Sequence, residues 1–167
     1  MIALVRVDNR LLHGQILEAW VPRLKVGRIV VADDESAASP LAQAALTLCR
    51  PPDIEVAVEP VEAVDYAGHA AAKEGVLVLF RDVAALARAA AHGLTPQMAP
   101  KVNIGNVHYG VGRRPVTPSV FLTRGELTQL GALAESGFHV EARAIPADAP
   151  VGPREMNEKY DAADERR

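Results

Sequence analysis

The chain has 167 residues, 49% of them hydrophobic and 23% charged, which is enough for one domain with a full core and too little for two independent ones. A formal net charge of -3 excludes a general attraction for nucleic acid or anionic lipid. A single cysteine, Cys49, excludes an internal disulfide and favours an intracellular protein.

The start, Met1-Ile2-Ala3-Leu4-Val5-Arg6, has no basic segment leading into a long apolar one, so neither an export signal nor a membrane span is expected. Residues 2–7 read as a first strand, ended by Asp8-Asn9-Arg10. From Gly14 the apolar positions Ile16, Leu17, Trp20, Val21 and Leu24 recur at helical spacing, with a bend expected at Pro22. Residues 27–32 predict a second strand. Ser39-Pro40 predicts an N-cap with proline at the first helical position, opening a helix to about Cys49, itself read as a small core residue.

The alternation continues with a strand over 54–58, a helix over 60–72, a strand over 76–80 and a helix over 82–91 closed by Gly93. A further strand is expected over 101–104, an irregular region over 105–118 and a short strand over 120–123. Thr123-Arg124-Gly125-Glu126 has the form of a capping box before a helix closed by Gly137, and 140–145 reads as the last sheet strand. Short aliphatic strands alternating with helices predict an α/β fold: one three-layer domain over 1–167, its mostly parallel sheet covered by helices on both faces. Within it, 147–167 is expected as a charged surface segment, partly helical, or a partly disordered tail with a loose end.

Open parallel sheets bind ligands beyond the carboxyl ends of their strands, and the first strand runs into Arg6, Asp8, Arg10 and His13. A neutral imidazole is a nucleophile able to hold a phosphoryl group, and its unperturbed pKa of about 6.5 keeps a neutral fraction near pH 7. Asp8 is the nearest carboxylate that could accept from the other ring nitrogen and fix the tautomer. Arg6 and Arg10 offer planar donor pairs matched to phosphoryl oxygens, and Gly14 and Gln15 stand at a helix start where backbone N–H groups add to an anion site.

Plainer readings stand beside these: His13 as an exposed loop histidine, Asp8 as an Asx turn, Arg10 as a surface charge. Arg6 resists such a reading, since a cation between Val5 and Val7 must reach the strand edge or be paired. A second stretch, 103–114, lacks the Lys-Ser/Thr of a Walker loop and the spacing of a dinucleotide fingerprint. Its His108 reads as a proton-handling group, an interface contact or a loop histidine, and Arg113-Arg114 as contacts for phosphate or an acidic partner. His69, His92 and His139 form no ligand spacing with Cys49, and Asp33-Asp34-Glu35 reads as a solvated turn before it reads as a magnesium site. Trp20 is expected to bury one side of the first helix, with a docking rim as its second reading.

The segment Val5-Arg6-Val7-Asp8-Asn9-Arg10-Leu11-Leu12-His13-Gly14-Gln15, followed by Trp20, resembles the amino-terminal motif of the IIB components of the mannose/fructose/sorbose class of the bacterial phosphoenolpyruvate-dependent sugar phosphotransferase system. The similarity continues through Val30 to Asp34, Lys101 to Gly105 with His108, and Leu122-Thr123, spanning about residues 1 to 150. The resemblance implies that His13 carries the phosphoryl group in the first strand-to-helix loop, surrounded by Arg6, Asp8 and Arg10. It further implies an enzyme with a covalent N(pi)-phosphohistidine intermediate. Phosphate comes from a phosphohistidine on a IIA domain and passes to a sugar held by membrane IIC and IID partners.

No cofactor or metal is expected, and the location implied is cytoplasmic, at the membrane's inner face only through partners. A homodimer is compatible with the sequence, which offers no seam for one. The chain departs from the family in having Gly105-Asn106 where two glycines are common, in Arg113-Arg114-Pro115, and in the charged tail after Pro150. Two alternatives to sugar uptake remain open at this level: a regulatory relay or phosphate sink, and a noncatalytic anion-binding domain.

Overall fold

The computed structural model describes residues 1–164. The aliphatic runs form strands β1 Ile2–Asp8, β2 Val26–Ala32, β3 Glu55–Glu59, β4 Gly75–Phe80 and β5 Lys101–Asn106. They are followed by β6 Arg114–Thr117, β7 Val120–Leu122 and β8 His139–Ala142. Six of them pair in parallel in the order β3-β2-β4-β1-β5-β8, and β6 and β7 make a separate antiparallel pair.

Helices α1 Val21–Leu24, α2 Asp34–Ala37, α3 Pro40–Leu48, α4 Tyr66–Ala71, α5 Val83–Ala91, α6 Arg124–Glu135 and α7 Pro153–Asp164 flank the sheet on both faces. The period of two along each strand divides the core in two. Val5, Val7, Val78, Phe80 and Ile104 pack with Leu86, Leu127, Leu130 and Met156 of α5, α6 and α7. On the opposite face Leu4, Ile29, Val31, Leu77 and Leu79 pack with Leu12, Ile16, Trp20 and Val21.

Several local features follow the sequence signals. Ser39 accepts from the Ala42 amide to cap α3, and Thr123 and Glu126 complete a reciprocal capping box on α6. Gly93 and Gly137 end α5 and α6 at φ 115° and 111°, a region that favours glycine. The first helix is less regular than its spacing predicts: a π-helical turn over Ile16–Trp20, with the Val21 amide bonded to the Ile16 carbonyl, runs directly into α1, and Pro22, which has no N–H to continue the ladder, stands at this junction.

Three expectations need correction. Residues 60–72 are not one helix: a 3-10 turn over Val61–Ala63 is followed by extended Val64, and Asp65 then caps α4 by accepting from the Gly68 amide at 2.9 Å. The 105–118 region is not wholly irregular, because Arg114–Thr117 pairs with Val120–Leu122; a two-stranded ribbon has two edges, so Pro115 needs no ladder donor. Cys49 is exposed, since α3 lies over the β3 edge and buries no residue fully.

The charged segment after Pro146 is partly helical. It forms α7, which turns Met156 and Tyr160 inward at a spacing of four. Residues 165–167 of the expected tail lie outside the described residues. Among the described residues, no helix is long and apolar enough to cross a membrane.

Candidate functional site

From β1 the chain departs toward β2 on one side of the sheet, while β5 leads toward β8 on the other. The carboxyl ends of β1 and β5 therefore flank a topological switch point, where open α/β sheets hold their ligands. Leu4, Arg6 and Asp8 share the face of β1 that also receives Trp20. The chain then turns sharply: the Leu11 amide donates to the Asp8 carbonyl at 2.9 Å, and Leu11 adopts φ 55° with its side chain buried. His13 follows, its carbonyl accepting from the amides of Ile16 and Leu17 at 3.1 and 3.2 Å as the helix begins.

Asp8 is the centre of the arrangement, with its side chain 0% exposed. Its Oδ2 accepts from Arg6 Nη2 at 3.0 Å and from His13 Nε2 at 2.9 Å. Its Oδ1 accepts from the Arg10 amide at 3.0 Å and from Arg10 Nε at 3.4 Å. Burial acts to raise the Asp8 pKa, but the hydrogen bonds from His13 and the Arg10 amide, with the charge of Arg6, outweigh it and hold the carboxyl below its ordinary value. An ionised carboxylate can only accept, so the His13 nitrogen facing it carries the proton. For a neutral ring, that leaves the lone pair on Nδ1.

The two arginines are not equivalent. Arg6 is 0% exposed, paired with Asp8, and has its Nη1 on Asn103 Oδ1 at 2.6 Å. Burial lowers its pKa, with the Asp8 carboxylate opposing, yet a guanidinium keeps its proton near pH 7. Arg10 has a 41% exposed side chain; its Nη2 donates to Gln15 Oε1 at 3.1 Å, and the rest of the fork lies at the surface beside the half-buried His13. Arg6 therefore belongs to the framework under Asp8, while Arg10 is available to an incoming anion. Gly14, exposed, follows His13 and leaves open space where a Cβ would stand.

The other two expected contacts lie on the loop that follows β5. The His108 side chain is exposed, and its backbone amide donates to Asn9 Oδ1 at 2.5 Å. Arg113 is turned to Glu126, with Nη2 to Oε1 at 2.7 Å, and also donates to the His108 carbonyl at 3.2 Å. Its guanidinium holds the 108–113 loop to α6. Asp33, read as a solvated turn or magnesium ligand, accepts from Ser36 and from both Arg81 Nε and Nη2, at 2.9 and 2.6 Å for the arginine.

Three residues without an assigned part in the sequence reading complete the surroundings. Asn9 ties the β1 end to both neighbours, donating from Nδ2 to the Arg81 carbonyl at 2.9 Å and accepting from His108. Asn103 donates to the Arg143 carbonyl at 3.2 Å. The Arg6 and Arg143 guanidinium carbons lie 5.2 and 5.7 Å from the Trp20 ring centre, and Trp20 Nε1 donates to the Ala144 carbonyl at 2.9 Å. The motif signal available for Asn103 was its place in the Lys101–Gly105 run; Arg143 carried none.

A parallel sheet with a histidine held by a buried carboxylate at its switch point, and a guanidinium beside it, defines an α/β protein equipped to handle a phosphoryl group. Residues 2–166 match the family described as the PTS system sorbose subfamily IIB component, and the chain belongs to that family. Its general function is accordingly phosphoryl transfer in a phosphotransferase system. It is 28% identical over 150 residues to the PTS system fructose-specific EIIB component of Bacillus subtilis (strain 168), covering 89% of this chain and 90% of that protein. It is also 28% identical over 163 residues to the PTS system mannose-specific EIIAB component of Escherichia coli (strain K12), covering 96% of this chain but 50% of that longer protein. Among solved structures, manxB from Thermoanaerobacter tengcongensis superposes with a TM-score of 0.83 at 28% identity, covering 96% of each chain.

Proposed function

We propose that His13 is the residue that carries the phosphoryl group, bonded through Nδ1, and that it receives the group from a phosphohistidine on a IIA domain and delivers it to a sugar held by IIC and IID membrane partners. The observation that supports this most directly is the 2.9 Å contact of His13 Nε2 with buried Asp8. It fixes the proton on Nε2, and Nδ1 has no hydrogen-bond partner among the described residues.

In the transfer, the Nδ1 lone pair attacks phosphorus as the phosphorus–nitrogen bond to the donor histidine breaks. The donor ring leaves with the electron pair of that bond. The His13 ring becomes more positive as the new bond forms, and the Asp8 carboxylate, already hydrogen-bonded to Nε2–H, stabilises that charge. The outer fork of Arg10 is placed to meet phosphoryl oxygens, and Gln15 steadies it through the 3.1 Å contact with Nη2. In delivery the sugar hydroxyl oxygen attacks phosphorus, the phosphorus–nitrogen bond breaks with its electron pair returning to His13 Nδ1, and the hydroxyl proton passes to a base on the sugar-binding partner or to solvent.

A IIA partner is supported by the Escherichia coli mannose relative, whose name joins IIA and IIB in one chain. On this reading the protein works in the cytoplasm and meets the membrane only through its partners. Incubating the purified protein with phosphoenolpyruvate, the general phosphotransferase components and a IIA domain should give acid-labile labelling, which His13→Ala abolishes with the fold intact. Undiminished labelling of that variant would reject His13 as the carrier. Release of the label by candidate sugars only in the presence of IIC/IID membranes separates sugar uptake from a phosphate sink.

A further inference from the structure

Arg6 is a buried cation whose orientation its own chain leaves open. Its Nε is buried and has no hydrogen-bond partner among the described residues. Of its other donors, Nη2 meets Asp8 at 3.0 Å, while Nη1 meets Asn103 Oδ1 at 2.6 Å and the Arg143 carbonyl at 3.4 Å. The shortest anchor of the guanidinium is therefore the Asn103 amide, which is itself 0% exposed.

That amide can face only one way. Its Nδ2 donates to a backbone carbonyl, which can only accept, and its Oδ1 receives from a guanidinium, which can only donate. Reversing it would put two acceptors and two donors against each other. Gly105 closes a second side: a Cβ there would stand 1.9 Å from Arg6 Cζ, so the bare backbone is what leaves room for the guanidinium. The Trp20 ring lies against the group at 5.2 Å.

The consequence reaches the reacting ring through one atom. Arg6 Nη2 and His13 Nε2 both donate to Asp8 Oδ2. With Nη1 held by Asn103, Arg6 offers Asp8 a single donor, and the remaining direction at Oδ2 is left for His13. With Asn103 gone, Nη1 keeps only its long 3.4 Å contact with the Arg143 carbonyl, and the guanidinium can turn until a two-pronged Arg6–Asp8 pair displaces the imidazole.

We infer that Asn103 is a positioning residue for phosphoryl transfer: by holding Arg6 Nη1 it reserves Asp8 Oδ2 for His13, and so keeps the proton on Nε2 and the nucleophilic lone pair on Nδ1. This rests on the assignment of His13 proposed above. Gly105 serves the same arrangement by omission.

The test follows the ring proton and the transfer rate together. In the unaltered protein, nitrogen-edited NMR should show a His13 Nε2–H that exchanges slowly because its acceptor is buried. In Asn103→Leu that resonance should be lost, and the rate constant of labelling by a phosphorylated IIA domain should fall about 10–100-fold with KM for the donor within about threefold. Gly105→Ala, which pushes the guanidinium from its other side, should give the same signature, and Asn103→Ser is the milder replacement.

A folded Asn103 variant that keeps both the resonance and the rate overturns the inference. So does one that slows transfer with the resonance intact, and so does failure of all three variants to fold, since that assigns Asn103 to stability alone. His13→Ala, run alongside, tells the two proposals apart. Labelling of His13→Ala rejects the carrier assignment, whereas loss of its labelling with unchanged Asn103 variants rejects only the positioning role.

Discussion

Asp8 receives four hydrogen bonds while fully buried, and its partners depend on it unequally. His13 and Arg10 both reach solvent and can rehydrate. Arg6 cannot. Replacing Asp8 by Asn keeps the shape but leaves the Arg6 cation buried without its counter-charge, which costs about 3–5 kcal/mol. Urea unfolding of Asp8→Asn should show that loss. Arg10→Ala removes a half-exposed ion pair and should cost no more than about 1 kcal/mol, yet slow phosphoryl transfer on the order of 100-fold if the guanidinium meets the phosphoryl oxygens. Unfolding curves and initial labelling rates measured on one preparation separate the two effects, and a normal rate for Arg10→Ala would remove it from the site.

At the scale of elements, Glu126 has two tasks. It completes the capping box of α6, accepting from the Thr123 amide at 2.8 Å, and it receives Arg113 at 2.7 Å, which in turn holds the His108 carbonyl. Glu126→Gln can keep the cap but gives up the ion pair, whereas Glu126→Ala loses both. The alanine variant should be less stable by about 1–2 kcal/mol, and hydrogen exchange of the 108–113 amides should quicken in both.

The capping box was legible because its two partners are three residues apart, and the strands were legible because buried parallel strands are continuous aliphatic runs. The β6–β7 ribbon was not, since Pro115 and the surrounding glycines mask a strand signal that only pairing creates. The inward face of α7 was hidden because Met156 and Tyr160 are its few apolar side chains among many charges. In the site, Arg6, Asp8, Arg10 and His13 lie within eight consecutive positions, so their chemistry could be read together. Asn103 and Arg143 come to Arg6 from β5 and the end of β8, and Gly105 matters through an atom it lacks. Such contacts arise from sheet order, which a single sequence does not spell out. Arg113, grouped with the anion contacts on charge alone, is claimed by Glu126.

For the whole molecule, the buried carboxylates set its response to acid. Asp8 is held below its ordinary value by the means given above. Burial acts to raise the Asp33 pKa too, and it is overcome by the hydrogen bonds from Arg81 and Ser36. Depressed folded-state values mean that the stabilisation is fully present above the unfolded value of 3.8 and is lost as pH falls through the folded values. Thermal unfolding followed from pH 6 down to pH 2 should therefore show a falling midpoint chiefly below about pH 4, with a shallower fall in Asp33→Asn. A midpoint unchanged across that range would mean that these pairs add nothing to the folded state.

Cys49 ends a helix that runs back against the direction of the strands, so the thiol sits toward their amino ends, roughly 20 Å of strand away from the histidine loop. As the chain's single cysteine, it accepts a maleimide dye or nitroxide without further substitution. A probe there would report rotational slowing and inter-protein distance on addition of a IIA donor, while the histidine loop itself stays chemically untouched.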